Sequence, residues 1–341
     1  MNLIKKYKTA VVFTGSGGSF SQETAIVDQL IKTGKIQLNE DTTLLIGSGS
    51  GALNLVAINA CFRKDNPCSW DKFFKNKFIP SIADNETFIK VDPIHWITLP
   101  QRKKYNELLQ EAGFSTISDL PFDSIILTSV VNENKTKWIN SRAKKERELN
   151  LDDILMASSA IPVIFPPHQL NSNTESVHSK FLGAHYEGST CGLLNKFKKQ
   201  LGKIILEHGP FEQIFILSPK RLFDYSPVIH HDLSMMIAQE KYQFNQFLNH
   251  ISLHSFLTFL IKLQKNNSKN RLAKTISVSI PEMDQNVGLL DYTDQYDKYV
   301  MVKNWFEKNP DRLAIDISAY INEMAFVPSF SENYCFNIAT E

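Results

Sequence analysis

The stretch Thr42-Thr43-Leu44-Leu45-Ile46-Gly47-Ser48-Gly49-Ser50-Gly51-Ala52-Leu53-Asn54 decides how this chain folds. Leu44, Leu45 and Ile46 in succession read as a strand buried on both faces. Five small residues follow, Gly47 to Gly51, and Ala52-Leu53-Asn54-Leu55-Val56-Ala57 then opens a helix suited to close packing on a sheet. Strand, tight turn and helix form the context of a nucleophile elbow. The central residue of such a turn takes a positive φ, and small residues two before and two after it keep strand and helix from colliding. The new helix aims its N-terminal dipole and free N–H groups at a developing oxyanion. Gly47 and Gly51 stand at those spacings around Gly49.

Three further segments stand around this one. An apolar run from Thr9 leads into Thr14-Gly15-Ser16-Gly17-Gly18. Downstream lie Ala157-Ser158-Ser159-Ala160-Ile161-Pro162-Val163-Ile164-Phe165-Pro166-Pro167 and then Tyr186-Glu187-Gly188-Ser189. In this order the four segments resemble the patatin-like lipid acyl hydrolases. That family carries Gly-x-Ser-x-Gly-Ala-Leu-Asn at its elbow, an Ala-Ser-Ser-Ala-Ile-Pro run, a glycine-rich oxyanion loop and a catalytic Asp-Gly-Gly/Ala. The resemblance spans about residues 8–220. It implies an α/β chain with a three-layer α/β/α fold around a central, mostly parallel sheet. It also implies a Ser–Asp dyad acting on acyl esters, oxyanion donors at Gly15, Ser16, Gly17 and Gly18, and no metal or organic cofactor. The ligand implied is a lipid or acyl ester, with peripheral membrane contact.

Three of the four motifs depart from the family. Gly49 stands where the nucleophilic serine belongs, and glycine has no Oγ to attack an ester, although it accepts a positive φ freely. Glu187 replaces the catalytic Asp, which moves the carboxylate outward by on the order of 1 Å, enough to cost a dyad orders of magnitude in rate. Ser19-Phe20 replaces the usual basic residue and glycine of the oxyanion loop. Ser50, with Ser48 before it and Ala52 after it, also fits a small-x-Ser-x-small elbow shifted by one residue. Ser48 fits less well, because Ile46 lies two before it. Three functions stay open: an acyl-ester hydrolase using Ser50 with Glu187 as base, a pseudoenzyme that binds lipid or an acylated partner without cleaving it, and rewired chemistry with Glu187 as general base.

The remainder of the chain fits one domain over residues 1–341, with a core at about 8–220, a helical C-terminal extension at about 221–341 and a cap excursion at 63–101. Strands are expected at Thr9–Thr14, Thr42–Ile46, Asp123–Val131, Thr136–Asn140, Gln213–Leu217 and Thr275–Ile280, and helices at Ser21–Lys35, Gly51–Cys61 and Gln295–Phe306. Ile251–Leu263 reads as a core helix. Lysine and arginine number 37 against 36 aspartates and glutamates, which removes any global electrostatic case for nucleic-acid binding. Cys61, Cys68, Cys191 and Cys335 lack metal-ligand spacing and read as free thiols. No signal-peptide core or spanning segment is found, so a soluble cytoplasmic protein is expected. His168, His178 and His185 read as solvent-exposed. His230-His231 reads as a helix start, and Lys144-Lys145-Glu146-Arg147-Glu148 as a solvated helix face.

Overall fold

Alternation along the strands sets the architecture. In β1 (Thr9–Phe13), Val11 and Phe13 enter one apolar cluster while Ala10 and Val12 enter another. In β2 (Thr43–Ser48), Leu45 joins the first cluster, and Leu44 and Ile46 join the second. A sheet that buries both faces in this way must be covered on both sides, which is the three-layer arrangement. The computed structural model describes residues 5–15, 20–64, 100–130, 135–160, 167–170, 183–187, 202–218, 257–265, 271–281 and 294–325. The cap excursion falls almost wholly outside them, as do His178 and His230-His231.

One face carries α1 (Phe20–Lys32), α2 (Ser50–Cys61), α3 (Pro100–Ala112), α4 (Leu151–Ser159) and α5 (Gln295–Lys308), represented in the core by Ile26, Val56, Leu108, Ile154 and Val302. The other face is covered by Ile204 and Ile205, by Leu257 and Leu260, and by Ile317 and Tyr320 of α6 (Ile317–Ala325). Leu257 and Leu260 have no exposed surface, in keeping with the core helix read there. Among the described residues the Cys61 thiol is buried and in no disulfide, and no helix is long and apolar enough to cross a membrane.

The remaining strands are β3 (Asp123–Val130), β4 (Lys135–Asn140), β5 (His168–Leu170), β6 (Gly183–Glu187), β7 (Phe211–Leu217), β8 (Ala273–Ser279) and β9 (Ile315–Asp316). The sheet runs β5-β6-β3-β2-β1-β7-β8-β9, with β4 also paired to β3. Its centre, β3-β2-β1-β7-β8, is parallel, and β4, β5, β6 and β9 join antiparallel. Within the stretch expected to be a helical extension, β8 is the strand expected at Thr275–Ile280 and covers the outer edge of β7, while β9 adds a strand beyond those expected. Chain connections lead from β1 to β2 on one side and from β7 to β8 on the other. The carboxyl ends of β1 and β7 therefore form a topological switch point, where open α/β sheets hold ligands.

One local expectation is corrected in part. Lys144–Glu148 is a succession of turns and not a helix, although Lys144, Lys145, Arg147 and Glu148 are exposed as expected. Its Glu146 is buried, because the carboxylate turns inward to accept the Asn140 N–H at 2.5 Å.

At the opposite end of the sheet Asp123 anchors the amino end of β3. Its carboxylate accepts from Lys5 Nζ at 2.6 Å, from Tyr7 Oη at 2.8 Å and from Arg142 Nε. Burial alone would raise its pKa, but the bonds from Lys5, Arg142 and Tyr7 outweigh burial and hold it below the usual carboxylate range. The same burial, with the bond to Asp123, drives the Tyr7 phenol far above its ordinary value. Both cations are half-exposed, which discounts the pairing energy. Asp123→Asn is expected to cost about 1–3 kcal/mol at pH 7. A depressed folded pKa gives stability that is present above the unfolded value, near 4, and is lost as pH falls through the folded one. Urea midpoints of wild type and variant should therefore converge toward pH 3. A gap that stays constant between pH 7 and pH 3 would rule out the ion cluster as its source.

Candidate functional site

β2 ends at Ser48 and α2 begins at Ser50, so Gly49 alone turns strand into helix. Its φ of 56° and ψ of −130° are costly for any residue that carries a Cβ. The flanking glycines have a direct steric cause. A Cβ on Gly47 would stand 2.7 Å from the Gly51 carbonyl oxygen, and one on Gly51 would stand 2.7 Å from the Phe13 Cβ. Within the turn Gly49 is half-buried, whereas Ser48 and Ser50 are only 1% and 5% exposed.

Ser158 pins this turn from the neighbouring helix. Its hydroxyl accepts the Gly49 N–H at 3.0 Å and donates to the Leu127 carbonyl at 2.9 Å. One side chain of α4 thus ties the elbow to β3, which gives a physical role to part of the Ala157–Pro167 segment. Tyr105 of α3 donates to Ser159 at 3.3 Å from the other side.

The turn after β1 lies directly on the elbow. Gly15 has φ 79°, and a Cβ there would collide with the Ser48 carbonyl oxygen. Gly15 donates its N–H to Glu23 Oε1 at 2.9 Å, and Asn54 of α2 donates to Glu23 Oε2 at 2.8 Å. Asn54 also donates to the Phe20 carbonyl at 2.9 Å and accepts from Thr24 at 2.6 Å. Glu23 has no exposed surface. Burial pushes its pKa up to about 8, against the lowering bonds from Asn54, Gly15 and Thr14. Ser16, Gly17, Gly18 and Ser19 lie outside the described residues.

The backbone of Glu187 is placed by strand bookkeeping. β4 occupies one edge of β3 from Ile125 to Val130. On the other edge β2 pairs as far as Ser48 opposite Leu127, and β6 takes over with Glu187 opposite Thr128. A strand has only two hydrogen-bonding edges. Glu187 therefore occupies the next position along the edge that β2 leaves when it turns at Gly49.

A model for patatin-like phospholipases matches residues 12–190, just over half of the 341 residues. The chain belongs to the patatin-like phospholipase family. Among solved structures, VipD from Legionella pneumophila is similar at 10% identity and a TM-score of 0.35, over 94% of this chain and 75% of that one. The type III effector protein ExoU is similar at 8% identity and a TM-score of 0.37, over 94% of this chain and 54% of that one. No curated protein matches the sequence.

The patatin-like elbow thus gathers Gly49, Ser48, Ser50, Gly15 and the backbone of Glu187 at the carboxyl end of β2. Two histidines expected in solvent are not there. His185 has no exposed surface and its Nδ1 lies 3.0 Å from Thr128 Oγ1. The His168 side chain is 14% exposed, with Nε2 2.8 Å from Asp153 Oδ1, and Arg102 pairs with the same carboxylate at 3.0 Å. The cause is that both residues sit in paired strands, His168 opposite His185, and not in a polar loop. Ser158 and Glu23 received no role from sequence. Glu23 did leave a signal: with Ile26, Val27 and Leu30 it shares an i, i+3, i+4, i+7 stripe that is otherwise apolar.

Proposed function

We propose that this patatin-like chain binds the acyl part of a lipid at the β2–α2 elbow and does not cleave it by serine attack. One observation carries the reading. The accessible, positive-φ position of the elbow is held by Gly49, which has no hydroxyl, while the serines on either side are buried. Nucleophilic catalysis needs an oxygen that can reach the carbonyl. The Gly15 turn, the Ser158 anchor and the placement of Glu187 support a site that keeps its backbone frame. In this reading Gly49 leaves room for the acyl carbonyl, and Gly15, expected from sequence as an oxyanion donor, gives its N–H to Glu23 instead. Lipid would be taken from a membrane surface by peripheral contact.

Two measurements on the intact chain test this. Titration with a fluorescent acyl phosphatidylcholine should give saturable binding. An alkyl fluorophosphonate should label no serine under conditions that label an active relative. Labelling of Ser50, with p-nitrophenyl ester turnover lost in Ser50→Ala, would overturn the proposal in favour of a displaced nucleophile with Glu187 as base.

A further inference from the structure

Ser158 lies in the last turn of α4 with no exposed surface. A serine inside a helix commonly returns its proton to a carbonyl one turn back. This one bonds two other elements instead: its hydroxyl accepts the Gly49 N–H at 3.0 Å and donates to the Leu127 carbonyl at 2.9 Å. We propose that Ser158 is a positioning residue of the acyl site, whose hydroxyl replaces one rung of the sheet, holds Gly49 off β3 and so sets the spacing between Gly49 and Glu187 on which lipid binding depends. This rests on the acyl-lipid reading above.

The backbone bonds around the elbow identify the rung. Successive residues of a strand point their N–H and C=O groups to alternate edges. The Thr9 N–H goes to the Thr42 carbonyl, so even positions along β2 face β1 and odd positions face β3. Ser124 exchanges bonds with Ser141 at the end of β4, so even residues of β3 face β4 and odd residues face β2. With Ser48 opposite Leu127, the next bond of the parallel ladder would run from the Gly49 N–H to the Leu127 carbonyl. Those are the two groups that the Ser158 hydroxyl joins. Two bonds in series through one oxygen span more than a direct bond of about 2.9 Å, so β2 and β3 part at this point.

The consequence falls on the backbone of Glu187. Continued by one residue, the β2–β3 register would put Gly49 opposite Thr128. Thr128 is instead opposite Glu187 of β6. Gly49 and Glu187 therefore compete for one position on the same edge of β3, and the hydroxyl inserted at Leu127 keeps Gly49 out of it. The helix that carries this hydroxyl is fixed at both ends. Tyr105 of α3 donates to Ser159, and Arg102 of α3 pairs with Asp152 and Asp153 in the first turn of α4 at 3.0 Å each. His168 of β5 also bonds Asp153. With the hydroxyl removed, a buried N–H and a buried carbonyl are left facing each other. The direct rung then forms, and the elbow moves toward β3 and crowds the end of β6.

The test compares Ser158→Ala with Ser141→Ala in the intact chain, by titration with fluorescent acyl phosphatidylcholine. Ser141 is also buried, and its hydroxyl also completes the bonding of β3 by accepting the Ser124 N–H at 2.9 Å, but at the amino end of that strand. Ser158→Ala is expected to lower affinity about tenfold and Ser141→Ala to leave it within about twofold. Amide NMR spectra without lipid read the replaced rung itself. In Ser158→Ala the Gly49 resonance should move together with those of Ser129 and Tyr186, which pair where β6 takes over, and in Ser141→Ala all three should stay. One measurement needs no variant: the wild-type Gly49 amide, held by a buried hydroxyl, should exchange with solvent about a hundredfold more slowly than an exposed amide. Equal affinity losses in the two variants, unchanged affinity in Ser158→Ala, unmoved Ser129 and Tyr186 resonances or an unprotected Gly49 amide would each overturn the positioning role and leave the lipid reading standing. Absence of binding by the wild type sinks the lipid reading, and the positioning role falls with it.

Discussion

Gly49→Ser is expected to turn a protein that fluorophosphonates leave untouched into one that they label at residue 49. The backbone is already in place for this. Gly49 holds φ 56° and ψ −130° at the start of α2, and its N–H is fixed by Ser158. A serine there inherits the positive end of the helix dipole without any movement of strand or helix. The strain of a Cβ at this φ costs roughly 1–3 kcal/mol, so a thermal midpoint lower by a few degrees is part of the expected result. Labelling and turnover should separate. Glu187 is one methylene longer than the family's aspartate, so ester hydrolysis should rise over wild type by about a hundredfold at most and improve further in Gly49→Ser with Glu187→Asp. Intact mass after fluorophosphonate treatment and p-nitrophenyl butyrate turnover read the two effects. A folded Gly49→Ser protein that takes up no label would show that the frame around the elbow has also left this chemistry.

The elbow was readable from sequence because its cause is steric and local. Only small residues satisfy Gly47 against the Gly51 carbonyl and Gly51 against Phe13, so the spacing appears directly in the residues. The strands of the parallel centre were readable for a related reason, since burial on both faces demands unbroken apolar runs such as Leu44–Ile46 and Ile125–Leu127. Strands β5 and β6 were not readable. His168-Gln169-Leu170 and Gly183–Glu187 are short and mixed in polarity, and their pairing is decided by the open edge of β3 beyond Leu127. That long-range event also buries His185 and sets where Glu187 lies. Glu23 shows the converse. Its place on an apolar stripe was visible, but its partners Gly15 and Asn54 come from two other elements, so its role needed the fold.

Gly47→Ala and Gly51→Ala are expected to destabilise the chain by about 3 kcal/mol each, with thermal midpoints lower by about 4 °C. Neither new methyl group has anywhere to go. At residue 47 it would meet the Gly51 carbonyl oxygen at 2.7 Å, the Gly51 carbonyl carbon at 2.8 Å and the Ala52 nitrogen at 3.0 Å. At residue 51 it would meet the Phe13 Cβ at 2.7 Å and the Phe13 oxygen at 3.0 Å. These are main-chain atoms or atoms fixed to the main chain, so no rotamer relieves the contact. The relief left is for α2 to move off the sheet, and every residue of α2 from Ser50 to Cys61 is buried. The double variant should cost less than the sum, by more than about 1 kcal/mol, because one displacement of α2 relieves both clashes. Gly34→Ala separates sterics from backbone conformation. Gly34 has φ 68° but nothing within 4 Å of a Cβ, so its loss should cost only about 1 kcal/mol. Urea denaturation of the four proteins decides it. Equal losses at residues 34, 47 and 51 would mean that positive-φ and glycine effects alone explain the data, and strictly additive losses at 47 and 51 would mean that α2 does not move as one body.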